Sequence, residues 1–364
     1  MHHVINRFKK PLAISVGTKI FLLIFSYFAF QIFSHQPIYS FDQFLEIWNR
    51  WDALHYIHLA EHGYTSIPLT GTREDVFIVF LPFFPILVKI FSLFTGGNFM
   101  TAAMSVSFVF SILASLLLYE ICKLDFGEKI ALKAVWFLNI FPTSYFMLSA
   151  YTESTFLTLS LAFYLAVRKN LFPFPILFGF LAGLTRLNAI LLFTLTIGLK
   201  KATSLLYTFS IVTGLLIYLL INQALFESPF YFLNILHNHW YKSFSYPWVG
   251  IKNSIFYAIH QDTLESFIVF FQEPVYLILL LILGLFVFLK VNKSWGVYLI
   301  TSFLLFSSTS FILSSPRYLL VLFPIYIAMA ILAENKVLLI LFKICSIAFL
   351  LFFTTLFVSG HWAF

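Results

Sequence analysis

Apolar runs close to membrane-spanning length follow one another along most of this 364-residue chain. They fall at about 14–33, 101–122, 131–149, 154–168, 172–186, 188–200, 203–222, 274–289, 295–313, 319–333 and 337–358. A helix needs roughly 20 apolar residues to cross a bilayer, so the shorter runs are expected to be tilted or partial. With 61% hydrophobic and 10% charged residues, the chain lacks the charge to clothe a water-facing surface. Lipid is the solvent in which such an exterior is stable. The expected fold is an all-α polytopic membrane protein of about 11 transmembrane helices, forming a single membrane-embedded domain over 1–364. The net charge of +7 is scattered in small groups, which speaks against a nucleic-acid-binding surface. Cys122 and Cys345 both lie in apolar runs, so no disulfide framework is expected. The basic stretch Met1 to Lys10 precedes an apolar run that is long for a signal peptide and shows no small-residue cleavage site. It reads as a retained first helix.

The basic clusters set the expected topology. Arg7/Lys9/Lys10, Lys123/Lys129/Lys133, Arg168/Lys169, Lys200/Lys201, Lys290/Lys293 and Lys336 fall on one side only if a further apolar run, at about 76–95 and interrupted by Pro82 and Pro85, does not cross. That run then belongs to a long first outer loop, about 34–100, and a second outer loop covers about 223–273. The N-terminus is cytoplasmic and the C-terminus outside. Only the basic bias sets this arrangement, yet it places eight of the ten histidines outside: His35, His55, His58, His62, His237, His239, His260 and His361.

The most informative stretch runs from Trp48 to Tyr64. It reads as a short amphipathic helix ending at Gly63. Helical spacing puts Asp52, His55, Tyr56, Leu59 and His62 on one side. Two readings fit: an interfacial helix anchored by Trp48 and Trp51 with a surface carboxylate, or a helix presenting Asp52 and His55 to a cavity. The spacing His55-x-x-His58-x-x-x-His62 permits a metal site, but no His-Glu-x-x-His signature is present.

Trp51-Asp52-x-x-His55-Tyr56-x-x-x-Ala60-x-x-Gly63-Tyr64, followed by Phe80-Leu81-Pro82-Phe83-Phe84-Pro85, resembles the PIG-V mannosyltransferase family. This family is named for the enzyme that adds the second mannose in GPI-anchor synthesis. Phe141-Pro142-x-Ser144-x-Phe146-x-x-x-Ala150-Tyr151-x-Glu153-Ser154 and Gly183-x-x-Arg186-x-Asn188 agree with it in spacing and order. The similarity covers about the first 190 residues and is looser at Ser315-Pro316-Arg317-Tyr318. It implies a GT-C-type glycosyltransferase fold whose long first outer loop carries an acidic residue, with a polyprenyl-phosphate sugar as donor and no cofactor. The shorter chain looks like a prokaryotic relative in the plasma membrane, which leaves the acceptor open as a glycan or glycolipid hydroxyl.

On that resemblance the reaction is an inverting sugar transfer with Asp52 as base, oriented by His55. Arg186 and Arg317, at predicted outer helix ends, are candidates for the leaving phosphate, since the guanidinium fork suits phosphate. Snorkelling to the interface is the plainer reading of each. Glu153 is a candidate to bind acceptor hydroxyls, to pair with an arginine or to act as a second acid. Tyr56 and Tyr151 are candidates to line the sugar site, and His239 with Trp240 to close over the substrates. There is no glycine-rich phosphate loop and no Asp-x-Asp motif. A transporter or lipid-linked-sugar flippase is the rival class. It calls for polar residues near mid-membrane and for internal repeats, and neither is evident here.

Overall fold

The computed structural model describes residues 2–64 and 74–363. Among these residues the chain is an all-helical membrane protein without strands. Five helices are long and apolar enough to cross a membrane: Arg7–Ser34, Phe99–Asn139, Lys201–Phe226, Leu264–Lys290 and Lys336–Val358.

The first of these lies in α1 (His2–Ser34). Next come two short helices, α2 (Phe41–Glu46) and α3 (Asp52–His62), then a 3₁₀ segment (Glu74–Val79) and α4 (Phe83–Ser92). The ten residues of α4 rise only about 15 Å, half of the roughly 30 Å hydrocarbon core. The run at 76–95 therefore holds no single helix long enough to cross. The part of the expected first outer loop at 65–73 lies outside the described residues.

α5 (Phe99–Asn139) is two helices joined at Gly127, whose φ of 79° and ψ of 175° leave the helical path. Only glycine adopts that conformation readily. Ser115 and Asn139, equally far from Gly127 in sequence, share a 3.1 Å hydrogen bond. The two halves therefore run antiparallel, with Lys123, Lys129 and Lys133 around the turn.

α6 (Glu153–Arg168) and α7 (Phe174–Gly183) are followed by a 3₁₀ segment (Leu187–Thr196), and this leads to α8 (Lys201–Phe226). α7 and α8 cross at two glycines. A Cβ on Gly183 would stand 2.4 Å from the Ile211 carbonyl oxygen, and one on Gly214 would stand 2.3 Å from that of Phe180. Only residues without a Cβ allow so close an approach. The chain continues through α9 (Tyr231–Trp240), α10 (Pro247–Ile259), α11 (Leu264–Lys290) and α12 (Lys293–Ser307). It closes with α13 (Ser315–Leu320), α14 (Pro324–Leu332) and α15 (Lys336–Val358).

Three expected spans are interrupted. The run at 131–149 leaves the helix at Asn139, just before Pro142, and resumes as a 3₁₀ turn, Ser144–Met147. The run at 188–200 is mainly the 3₁₀ segment, and the run at 319–333 breaks between α13 and α14, where Pro324 has no N–H to continue a helix.

Basic residues of α1, α5 and α6 assemble at one end of the bundle. Lys10 pairs with Glu128 at 2.8 Å, Lys129 with Glu334 at 3.4 Å and Arg168 with Asp125 at 2.8 Å, and Arg7 pairs with Glu120. α6 spans from Arg168 at this end to Glu153 at the other, 16 residues or about 24 Å.

Candidate active site

Asp52 opens α3, where a carboxylate is favoured by the positive end of the helix dipole. The residue before it, Trp51, has φ 53° and ψ −121°, a left-handed conformation that costs a bulky side chain on the order of 1–3 kcal/mol. Its surroundings hold it there. The Trp51 ring meets Trp362 edge-on at 4.8 Å, and the Arg50 carbonyl accepts a 2.8 Å hydrogen bond from the Tyr151 hydroxyl. Arg50 itself donates to the Val358 carbonyl at 2.8 Å. These contacts aim Asp52 into a cavity.

At the start of α6, Glu153 is fully buried. Its Oε1 accepts hydrogen bonds from Arg186 Nη1 at 2.7 Å and from Arg317 Nε. Arg317 also donates from Nη1 to Asp52 Oδ2 at 2.8 Å. One guanidinium thus bridges two carboxylates that stand 101 positions apart in the sequence. The Arg317 guanidinium carbon lies 4.5 Å from the ring centre of Tyr151 and 5.2 Å from that of Phe146, contacts that strengthen as water is excluded. Arg186 donates to Thr152 Oγ1 at 3.0 Å and lies about 6 Å from the rings of Phe156 and Tyr318.

Asp52, Glu153, Arg186 and Arg317 carry two charges of each sign. Taking each from water costs several kcal/mol, repaid only where geometry and hydrogen bonds are good. Charged groups buried inside a membrane protein point to function before stability.

Beside this cluster lies a cavity of about 320 Å³. Asp52, Tyr56, Thr152, Arg186, Asn188 and Arg317 give it a polar side, with Phe80, Trp240 and Phe306 opposing them. Lys242 and Tyr318 complete the wall, with Lys242 Nζ donating to the Tyr318 hydroxyl at 2.6 Å. On the other flank of α13, Leu319 borders a second cavity of about 650 Å³ among α11, α14 and α15, lined almost wholly by apolar side chains.

The structure brings together Asp52, Glu153, Arg186 and Arg317, and puts Tyr56 in the cavity wall. Tyr151 stands behind Arg317, not in the wall. His55 stacks on Phe80 at 5.0 Å and meets Phe77 at 5.6 Å, while Asp52 takes a hydrogen bond from Arg317. Burial pulls the His55 imidazole below its ordinary pKa of 6.5 and pushes the Tyr56 phenol up. His239 is exposed on α9; its neighbour Trp240 reaches the cavity instead. His58 stacks on Phe77 at 4.4 Å, and no group of three or more His, Cys, Asp or Glu side chains among the described residues is placed to hold a metal ion.

Two residues that the sequence does not single out support the site. Lys242 is one. Glu273, in α11, is the other: it accepts hydrogen bonds from the backbone N–H groups of Ser314 at 2.7 Å and Ser315 at 2.6 Å. It thereby anchors the start of α13, the helix that carries Arg317. Its signal was a carboxylate inside an apolar helix, beside Pro274.

No protein-family model and no curated protein sequence matches the chain. Among solved structures, it is similar to the oligosaccharyltransferase of Archaeoglobus fulgidus. The form with zinc and sulfate gives a TM-score of 0.47 at 11% identity, over 95% of this chain and 53% of the other. The apo form gives 0.42 at 11% identity, over 96% and 56%. The chain spans about half the length of these structures.

Proposed function

We propose that this protein is a GT-C-type membrane glycosyltransferase that moves a sugar, mannose on the PIG-V-like pattern of its first loop, from a polyprenyl-phosphate carrier to a hydroxyl of a glycan or glycolipid. The observation that carries the reading is Asp52: a carboxylate in the wall of a cavity, held by Arg317, with Arg186 in the same wall. The likeness to an oligosaccharyltransferase agrees with this reading but does not carry it.

In this scheme the acceptor oxygen attacks the anomeric carbon while Asp52 takes the hydroxyl proton. The bond from that carbon to the phosphate oxygen breaks, and the phosphate leaves with the electron pair. Attack opposite the leaving group inverts the anomeric centre. Arg317 fixes the direction of the Asp52 carboxylate, and Glu153 fixes Arg317. Arg186 faces the growing negative charge of the leaving phosphate, where a guanidinium is effective. The apolar side of the wall keeps water from competing as acceptor.

The sidedness of this scheme is supported by α6, which separates the site from the basic end by about 24 Å. By the positive-inside rule the basic end is cytoplasmic, so the site works near the outer face. That suits a lipid-linked donor, since nucleotide sugars are confined to the cytoplasm.

The test is transfer of labelled mannose from a polyprenyl-phosphate donor in membranes containing the native protein or Asp52→Asn. A positioned base contributes about 10²–10⁴-fold, so the variant is expected to lose that much at equal protein level. Equal transfer by both removes Asp52 as base. No transfer by the native protein across several acceptors turns the reading to another sugar or to transport.

A further inference from the structure

We infer that Lys242 is the side chain that binds the phosphate of the lipid carrier. The inference rests on the transferase reading and adds to it the group that meets the carrier's charge.

The argument begins with charge. Asp52, Glu153, Arg186 and Arg317 cancel one another and are joined by direct hydrogen bonds. These four therefore sum to no net charge, and Arg186 meets an entering anion with its charge already shared with Glu153. Lys242 is the remaining charged residue of the cavity wall. Its Nζ donates to the Tyr318 hydroxyl at 2.6 Å, lies 5.0 Å from that ring's centre and is 3.5 Å from the Leu313 carbonyl oxygen. All of these direct partners are neutral, and the Glu273 carboxyl acts on Lys242 through charge alone and not through a hydrogen bond. Glu273 turns both its oxygens to the backbone N–H groups of Ser314 and Ser315. An ammonium has three N–H donors, and one well-formed bond to Tyr318 leaves capacity for an anion.

The position is also fixed. The segment after α9 is tied to the chain between α12 and α13. Ser310 N–H donates to the Ser243 carbonyl at 2.8 Å, Ser245 N–H to that of Ser308 at 3.3 Å, and Ser243 N–H to Ser310 Oγ at 3.1 Å. Phe244 forms a bridge with Thr309, itself a cavity residue. Lys242 is thus held against the wall before any ligand arrives. Arg186 lies 5.9 Å from the same Tyr318 ring. Two cations therefore flank one aromatic ring in one cavity. A phosphate monoester, the leaving group of the transfer, carries up to two negative charges and matches that pair.

The experiment is a binding titration of the purified full-length protein in nanodiscs with undecaprenyl phosphate and, separately, undecaprenol. Native protein, Lys242→Met and Lys242→Arg are compared, and donor KM and kcat are measured alongside. A hydrogen bond to a charged group is worth about 1.5–3 kcal/mol, which converts to roughly 10- to 100-fold. The native protein is expected to prefer the phosphate by at least about tenfold. Lys242→Met abolishes that preference by weakening the phosphate alone, and Lys242→Arg retains most of it. A Met variant that keeps the preference overturns the role of Lys242 and leaves Asp52-dependent transfer standing. A Met variant that weakens both lipids alike shows Lys242 to be only a tether for its segment. If the native protein has no preference for the phosphate, this inference and the lipid-phosphate donor fall together, whatever the variants do.

Discussion

The two ends of the helix bundle use pairs of opposite charge in opposite ways. At the basic end, Lys10 and Lys129 meet carboxylates with 69% and 77% of their side chains exposed. At the other end, Arg317 and Glu153 pair with 7% and 0% exposed. Water screens the first set, so each pair gains little and loses little if broken. The second set has no water to fall back on, so each member needs its partners. An exposed pair marks where the chain meets water or the headgroups. A buried, mutually neutralised cluster beside a cavity marks where something is done.

That contrast can be broken most severely at Asp52. Asp52→Asn still accepts from Arg317 but cannot take a proton. Transfer is expected to drop about 10²–10⁴-fold while the unfolding temperature in detergent stays near native. A matching loss of stability would make Asp52 a structural member of the cluster. Next is Glu153→Gln, which leaves two buried arginines with one carboxylate and is expected to cost about 3–5 kcal/mol. Glu334→Gln at the basic end is its control and should leave the unfolding transition unmoved. Similar shifts for the two would erase the difference between the ends.

Arg317→Lys tests the fork itself. An ammonium cannot span Asp52 and Glu153 with the same geometry, and one charge-assisted bond lost is worth roughly 10- to 100-fold in transfer. Full activity in the Lys variant would show that only charge matters there. Gly183→Ala probes the scaffold behind Arg186: the added methyl meets the Ile211 carbonyl, and overpacking of this kind costs about 1–3 kcal/mol. Gly214→Ala strains the same crossing, so the double variant should lose less than the sum. The smallest effect is expected from pH. Burial holds the folded His55 below its ordinary pKa of 6.5. The unfolded chain then binds a proton that the folded one refuses, and stability declines as pH falls below 6.5 until the lowered folded value is passed. His55→Phe should flatten that slope; an unchanged slope would place its origin elsewhere.

Much of the architecture is legible in the apolar runs, because lipid leaves a chain few alternatives to helix. The hairpin within α5 follows from Gly127 and the basic residues around it. The breaks at Pro142 and Pro324 were less legible, since apolar residues continue through them and only the missing N–H interrupts the helix. The apolar run at 274–289 misses the first ten residues of α11, which begins at Leu264, because Glu265 and Glu273 interrupt the apolar pattern without interrupting the helix. Pro274 is carried inside the helix, and Glu273 has a use there. At the site, Glu153, Arg186 and Arg317 stand out as charges at the ends of apolar stretches, and Asp52 as the carboxylate of an amphipathic one. Their pairing does not, because it joins segments far apart in the sequence. Lys242 sits in a loop without periodicity, and the partners of Glu273 are backbone N–H groups, which no letter of the sequence records.

The bridging position of Arg317 also has a history within each molecule. A ribosome delivers Asp52 first, then Glu153, then Arg186, and Arg317 last. A nascent chain halted before α13 therefore holds Asp52 without its arginine and Glu153 with one of two. The last of the four residues to be synthesised closes the network, so the cluster cannot form until α13 has been made.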